Sequence, residues 1–371
     1  MGVPGTVLMT VRYSSFCLAL MMAMVLGEPP SAWGQSSYQT KSAADGKIMP
    51  GNVAFVDTLG KRVVELDRTG RVVWSWRIPA SVVGKGDIRA GADLEWIAAD
   101  DSFLVTIPFR GIFRVSRAGK VIWQHLTAKV SHDADLLPNR NILYVNGWDK
   151  PSDAQVTEID PKGNLVWSWR AKGVVDEAWR KPVKGEQRDS YGHTNAAVRL
   201  LNGDTVVSLR NFNRLVLVGA DGQIRYTWDP IQRVHEPTIL PGGTLIASKH
   251  ARQLHTVISV SPDGQRRTIF TNAIGIHPIR TVQVLDNGNF LLTGGEEIIE
   301  IDATGTIVWH AAIYAKSDQK RGQGARRGDQ KNRSSNDGKR GQGGKRGGQQ
   351  TRSSDTGERG VYKAVWVDRQ G

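Results

Sequence analysis

One short frame recurs six times between Val64 and Trp309, and it leaves few folds open. An apolar run leads into a polar or acidic residue, a glycine turn and then an aromatic residue four positions after the glycine. The copies read Val64-Glu65-Leu66-Asp67-Arg68-Thr69-Gly70 with Trp74, Ser116-Arg117-Ala118-Gly119 with Trp123, and Ile159-Asp160-Pro161-Lys162-Gly163 with Trp167. Ala220-Asp221-Gly222 with Tyr226 follows, then a degenerate copy, Ser261-Pro262-Asp263-Gly264 with Phe270, and Ile301-Asp302-Ala303-Thr304-Gly305 with Trp309. Each is hairpin chemistry: a side chain that mimics a backbone turn, and a glycine free to adopt positive φ. The ring is expected between neighbouring sheets.

A second frame precedes the first. An apolar pair, a turn and another strand appear as Leu136-Leu137-Pro138-Asn139, Leu200-Leu201-Asn202-Gly203, Ile239-Leu240-Pro241-Gly242 and Val284-Leu285-Asp286-Asn287, with a weaker copy at Ile97-Ala98-Ala99-Asp100. Four strands per repeat of roughly 40–50 residues is the period of a β-propeller. Six copies predict an all-β chain, a six-bladed β-propeller with four-stranded blades around a central channel. The Asp-x-x-Gly-x-hydrophobic-x-Trp hairpins also resemble the tryptophan docking repeats of quinoprotein propellers. That pattern is a packing device, and no metal-and-quinone ligand set accompanies it, so no cofactor is expected.

The ends read differently. Arg12 precedes an apolar run from Phe16 to Leu26, too short for a comfortable membrane span. Residues 1–34 are therefore expected to be a signal peptide cleaved before Gln35, with an uncleaved anchor as the alternative. The expected location is periplasmic or secreted. Cys17 is the single cysteine and lies in that run, so the mature chain has no disulfide and no thiol nucleophile. Residues 35–50 read as a flexible lead-in and 51–315 as the propeller. Residues 316–360 read as a disordered, basic, low-complexity insert that interrupts the sixth blade. Residues 361–371 bring the final strand; this strand, or Ala54-Phe55-Val56, should close the ring, because an open sheet edge invites aggregation. Thirteen Lys and Arg against five Asp and Glu fall between Lys316 and Arg359, so eight of the net +13 charges sit there. The globular part is only mildly basic, and a nucleic-acid partner is not expected. The insert is a solvated loop or, alternatively, binds an anionic surface.

Aligning the repeats exposes the candidate site. Six residues before Pro138 is His132, and six before Pro241 is His235; the same offset gives Asp93 and Arg280 in other blades, and Asn195 stands one residue further from its frame. All five are polar, which packing alone does not require. His193 lies two residues ahead of Asn195, on the same side of an extended chain. A second ring, after the inner strand, aligns Arg210 with His250 and Pro108. Three readings are open: a zinc site, structural histidines, or a site that handles an anion. No close-spaced ligand pair supports zinc, so no metal is expected. The planar fork of Arg210 suits a sulfate, phosphate or carboxylate. His125, His255 and His310 read as surface or structural, and His277 is left open.

At Ser131-His132-Asp133-Ala134-Asp135, Gly192-His193-Thr194-Asn195, Ser208-Leu209-Arg210-Asn211 and Val234-His235-Glu236-Pro237 the chain resembles the bacterial arylsulfotransferases. The resemblance runs from about Asn52 to Trp309 plus the last strand, in a short form lacking the family's extra N-terminal β domain. It implies transfer of a sulfuryl group from an aryl sulfate to a phenolic acceptor through a sulfohistidine, without a nucleotide donor. His235 would be the nucleophile, and His193 and Arg210 would bind the sulfuryl oxygens. His132 would protonate the leaving phenolate and then deprotonate the acceptor phenol or, alternatively, only bind a sulfuryl oxygen. Asn195 would add a further donor, with Arg280 and Asp93 as substrate-binding members of the ring. Pro237 departs from the family, which usually has a small residue there. The rival class is a non-catalytic propeller that binds a ligand in its channel.

Overall fold

Strand assignments follow from the two frames. In a computed structural model that describes residues 36–42, 47–84, 86–89, 91–181, 190–251, 254–272, 279–315 and 361–368, the strands are, in order, β1 (Ser36–Ser42), β2 (Asn52–Asp57), β3 (Arg62–Leu66) and β4 (Val72–Arg77). Then come β5 (Asp93–Ile97), β6 (Ser102–Ile107), β7 (Gly111–Val115), β8 (Val121–Leu126), β9 (Ala134–Leu136), β10 (Ile142–Val145), β11 (Val156–Ile159) and β12 (Leu165–Trp169). β13 (Thr194–Arg199), β14 (Thr205–Leu209), β15 (Arg214–Val218), β16 (Ile224–Thr227), β17 (Thr238–Ile239), β18 (Leu245–Ala251), β19 (Leu254–Val260) and β20 (Arg266–Asn272) follow. The series ends with β21 (Thr281–Val284), β22 (Phe290–Gly294), β23 (Glu297–Ile301), β24 (Ile307–Ala315) and β25 (Ala364–Val367). They form six antiparallel sheets, ordered β25-β2-β3-β4, β5 to β8, β9 to β12, β13 to β16, β17 to β20, and β21 to β24 with β1 outside β24. This is the six-bladed β-propeller expected. The leader with Cys17 and Gln35, the basic insert and His277 lie outside the described residues. Among the described residues no helix is long and apolar enough to cross a membrane.

Six apolar clusters hold the blades together, one per junction. Phe103 and Val105 of the second blade pack on Val56 and Val63 of the first, and the same pairing passes round the ring until Leu291 and Trp309 of the sixth meet Phe55 and Leu66 of the first. Strands buried on both faces, such as β2 and β6, therefore read as near-continuous apolar runs.

The recurrent aromatic has a fixed job. Each outer hairpin carries a one-residue bulge, which sets Trp74 opposite Glu65, Trp123 opposite Arg114, Trp167 opposite Glu158, Tyr226 opposite Leu217 and Trp309 opposite Glu300. Phe270, two residues further from its glycine than the others, reaches the same register opposite Val257. From there the indole N–H of Trp74 donates to the carbonyl of Arg117 at 2.8 Å, Trp123 to Pro161 at 2.8 Å, Trp167 to Ala220 at 3.0 Å and Trp309 to Arg68 at 2.8 Å. Every acceptor lies in the next blade's turn. An arginine of that next blade covers the ring and pairs with the buried glutamate beneath it: Arg117 with Trp74 and Glu65, Arg199 with Trp167 and Glu158, Arg68 with Trp309 and Glu300. The tryptophans thus lock blade to blade, and the quinoprotein resemblance of the hairpins needs no cofactor.

Two expectations are corrected. The stretch read as a flexible lead-in contains β1, which pairs with β24 from Ser36↔Ala315 to Ser42↔Trp309. β24 offers a long outer edge, and Tyr38 pins β1 by donating to Asp57 at 2.9 Å and meeting Phe55 edge-on. The sixth blade is also complete before the insert begins; the strand after the insert belongs to the first blade, where β25 pairs with β2. Trp309→Ala is expected to lower the unfolding free energy by about 3–5 kcal/mol and Trp309→Phe by about 1–2 kcal/mol, read from urea midpoints at constant m value. A loss below about 1 kcal/mol for the alanine variant would show that this ring is not a blade junction.

Candidate active site

The inner strand of every blade begins at the channel, and the residue at or just before its start is polar and buried. Asp93 opens β5, His132 precedes β9, Asn195 is the second residue of β13, His235 precedes β17 and Arg280 precedes β21. The sixth member is Lys363, directly before β25. Repeat alignment misses it because the inner strand of the first blade comes from the far end of the chain, with no Leu-Leu frame behind it.

These residues divide into two tiers. The first is a chain of touching rings: His193 to His132 (centroids 5.2 Å apart), His132 to Tyr362 (5.2 Å), Tyr362 to His235 (6.2 Å), and His235 stacked on His250 (4.6 Å). Arg280 lies over Tyr362 at 5.4 Å, and Arg210 donates to His193 Nε2 at 2.8 Å. The Tyr362 hydroxyl is buried and makes no hydrogen bond among the described residues. Trp148 adds an aromatic wall 5.0 Å from His193 and 5.7 Å from His132, and Phe109 stacks on it.

The backbone is strained to achieve this. His132 has φ 79° and His193 φ 47°, in the left-handed region, where a non-glycine residue costs about 1–3 kcal/mol. The surroundings hold both. His132 N–H donates to Gly91 O at 2.7 Å, and its Nδ1 lies 2.7 Å from Ser131 Oγ, which also accepts from Gly147 N–H at 3.0 Å. The buried Asp149 carboxylate accepts from Gly192 N–H at 2.9 Å and His193 N–H at 3.1 Å. Burial pushes Asp149 up to about 6, against the pull of those N–H groups. Asp149, Trp148 and Tyr362 escaped the sequence reading, and Ser131 entered it only as a neighbour in the His132 motif; the first three lie in loops outside both frames, where spacing carries no signal. His255, read as surface or structural, is buried edge-on against His250.

Every imidazole of this tier is held neutral. Burial, then the charges of Arg210 and Arg280, lowers His132 to about 3. Burial also takes His193 and His235 well below the usual histidine range, helped by Arg210 at His193 and by His250 and then Arg210 at His235. The tautomer of His235 follows from its partner. Its Nδ1 lies 2.9 Å from the Arg233 carbonyl, which can only accept, so Nδ1 carries the proton and Nε2 the lone pair. Neutral imidazoles beside two guanidiniums give this tier a positive potential suited to an anion.

The second tier is acidic. Lys363 Nζ lies 2.8 Å from Glu236, 3.5 Å from Asp93 and 3.9 Å from Asp133, and it also pairs with Glu95. Asp93, Asp133 and Glu236 offer oxygens within 4.8 Å of one another, as a cation site would, and here the chain's own ammonium supplies the charge. Asp93, expected to help bind substrate, belongs to this tier, and burial pushes it up to about 7. Asn195, expected to donate to a substrate oxygen, spends one N–H on the Val234 carbonyl at 2.9 Å.

With this geometry described, the comparisons can be read. Residues 85–233 match the arylsulfotransferase (ASST) family. That span carries His132, His193, Asn195 and Arg210 and stops two residues short of His235, so the resemblance read from the motifs holds for the part of the chain that builds most of the ring tier. No curated protein matches the sequence. Among solved structures, a Bacteroides caccae protein of unknown function matches at 15% identity and TM-score 0.50, over 71% of this chain and 93% of its own. A streptogramin B lyase matches at 12% identity and TM-score 0.48, over 76% and 89%. A virginiamycin B lyase from Staphylococcus aureus matches at 10% identity and TM-score 0.44, over 76% and 89%. The first likeness bears on the fold alone, and the two weaker ones carry nothing further.

Two outcomes are expected. His132 should stay neutral as the pH falls from 8 to 5, seen as an unchanged ring-nitrogen shift; since the unfolded chain takes up that proton near pH 6.5, His132 makes the fold less stable as pH drops from there toward 3. A ring that titrates near 6.5 would contradict the burial argument. In Gly147→Ala the new Cβ would fall 2.0 Å from His132 Nδ1, so the ring must leave its place; a crystal structure with His132 unmoved would refute this.

Proposed function

We propose that this arylsulfotransferase-like protein transfers a sulfuryl group from an aryl sulfate to a phenolic acceptor through a covalent sulfohistidine on His235. The observation that carries the reading is the Nδ1–H bond of His235 to the Arg233 carbonyl, which leaves a neutral Nε2 lone pair as nucleophile. Nε2 attacks sulfur as the S–O bond to the aryl group breaks, and the electron pair leaves with the phenolate. The imidazolium so formed keeps its Nδ1–H on the carbonyl, which stabilises the developing positive charge. Arg210 and Arg280 offset the charge of the sulfuryl oxygens, and His193, Asn195 and the Tyr362 hydroxyl supply further polar contacts. Trp148 and Phe109 offer the aryl ring a flat apolar seat beside His132 and His193.

His132 is too acidic in the resting site to hold a proton for the leaving group. Part of that acidity comes from Arg210 and Arg280; a bound sulfate ester, being an anion, opposes both, so His132 takes up a proton as the donor binds and passes it to the leaving phenolate. In the second half-reaction the acceptor phenol attacks sulfur, the S–Nε2 bond breaks, His235 recovers its lone pair and His132 takes the phenolic proton.

The test is kinetic. Phenol should leave before acceptor binds, giving parallel double-reciprocal lines. His235→Asn should slow phenol release by about 1,000-fold or more. His132→Asn should cost less for donors with acidic phenols than for donors with basic ones, and Arg210→Lys should weaken turnover because the planar fork is lost. Intersecting lines together with full turnover in His235→Asn would end the covalent reading.

A further inference from the structure

The two histidines given reacting roles stand in blades three and five, with blade four between them, so no sheet hydrogen bond joins β9 to β17. Yet a reaction that uses His235 as nucleophile and His132 for the proton needs their separation held within a fraction of an ångström. The sequence around each gives the clue. His132 is followed by Asp133, and His235 by Glu236. In both pairs the histidine lies in the ring tier and the acid lies in the tier below, against Lys363.

We propose that Lys363 is a positioning residue, its ammonium setting the separation of His132 and His235 by gripping the acid that follows each. Its charge is the anchor for atoms with little else to hold. Asp93 Oδ1 and Asp133 Oδ1 are buried and accept no hydrogen bond among the described residues, so the nearby ammonium is their compensation. Lys363 is itself placed from outside the channel: the N–H of Ala364 donates to Thr293 Oγ1 at 3.2 Å, and that of Val361 to Gly295 O at 2.7 Å. Tyr362, the residue before it, inserts its ring between the two histidines. The strand that closes the ring therefore delivers a wedge between the histidines and a clamp beneath them, and closure and site assembly become one event. Only the catalytic consequence rests on the sulfotransferase reading; the ring positions do not.

Lys363→Met keeps the length of the side chain and removes the charge. With isotope-labelled histidine and no substrate present, the ring resonances of His132 and His235 should shift in this variant while those of His125 and His310 stay in place. With an aryl sulfate, kcat should fall about 100-fold, as expected for a misplacement near 1 Å, with KM changed by less than about threefold. Should Lys363→Met fail to fold, Lys363→Met combined with Glu236→Gln removes the excess negative charge and should restore the β-sheet circular dichroism, with the two rings still displaced. A folded variant whose His132 and His235 signals match the parent protein, or one in which all four histidines shift alike, would overturn the proposal. Because the ring signals are read without turnover, a protein that transfers no sulfuryl group still tests it.

Discussion

Four residue pairs between β2 and β25, from Asn52↔Val367 to Phe55↔Ala364, join the two ends of the folded chain, and the rest of the molecule relies on them. A propeller blade buries both faces against its neighbours, so a ring open at one junction would expose two apolar faces and an unpaired strand edge. Here the junction lies within the first blade, where the chain end supplies the innermost strand. That choice puts the last described residues in the channel. Side chains then staple the inner strands all the way round: Lys363 to Glu95, Asp93 to Ala134 N–H, Asp133 to Ala197 N–H, Asn195 to Val234 O, His250 to Ile279 O, and Thr293 to Ala364 N–H. Each bond crosses from one blade to the next, and together they span all six junctions.

Several of the residues that line the pocket are thus also residues that close the ring. The physical cost is considerable, because carboxylates and guanidiniums are buried together. Sorting them into two tiers reduces it. Below, one ammonium faces several carboxyl groups, and burial pushes Asp93, Asp133, Asp135 and Glu236 toward their neutral forms. Above, neutral imidazoles face Arg210 and Arg280, leaving a positive potential for an anion to satisfy. Two histidines at positive φ, each held by backbone and side-chain partners, show that the surrounding loops constrain this geometry rather than tolerate it.

The six-fold repeat was legible in the sequence because the outer hairpin recurs as a local pattern: turn, bulge and aromatic all fall within about ten residues of one another. The polar ring was legible for five of six blades for the same reason, since each inner strand runs directly into its own Leu-Leu frame. What could not be read was anything joined across the chain. Lys363 and Tyr362 reach the channel through closure, which pairs residues more than 300 apart. Asp93 shares the offset of His132 and His235, and Asn195 differs from it by one residue at the irregularity in β13, but neither shares their task, because an offset reports depth in the channel and not which neighbours lie there. β1 looked like a tether because its residues are polar; an edge strand with one face toward solvent needs little apolar character, and Tyr38 against Phe55 with Thr40 on the Thr69 carbonyl holds it. Phe270 looked displaced because its hairpin is two residues longer, yet the bulge returns it to register.

The covalent step on His235 is the central claim, and the sequence provides a clean way to observe it. Cleavage after Arg233 and Lys249 releases Val234 to Lys249, a peptide in which His235 is the single histidine. The protein should be mixed with an aryl sulfate without acceptor, quenched at alkaline pH and digested with trypsin. That peptide is expected to gain the mass of one sulfuryl group and to lose it when a phenol is added before the quench. Phenol released at the full rate with the peptide unmodified, or a sulfuryl group found on another histidine, would contradict the account.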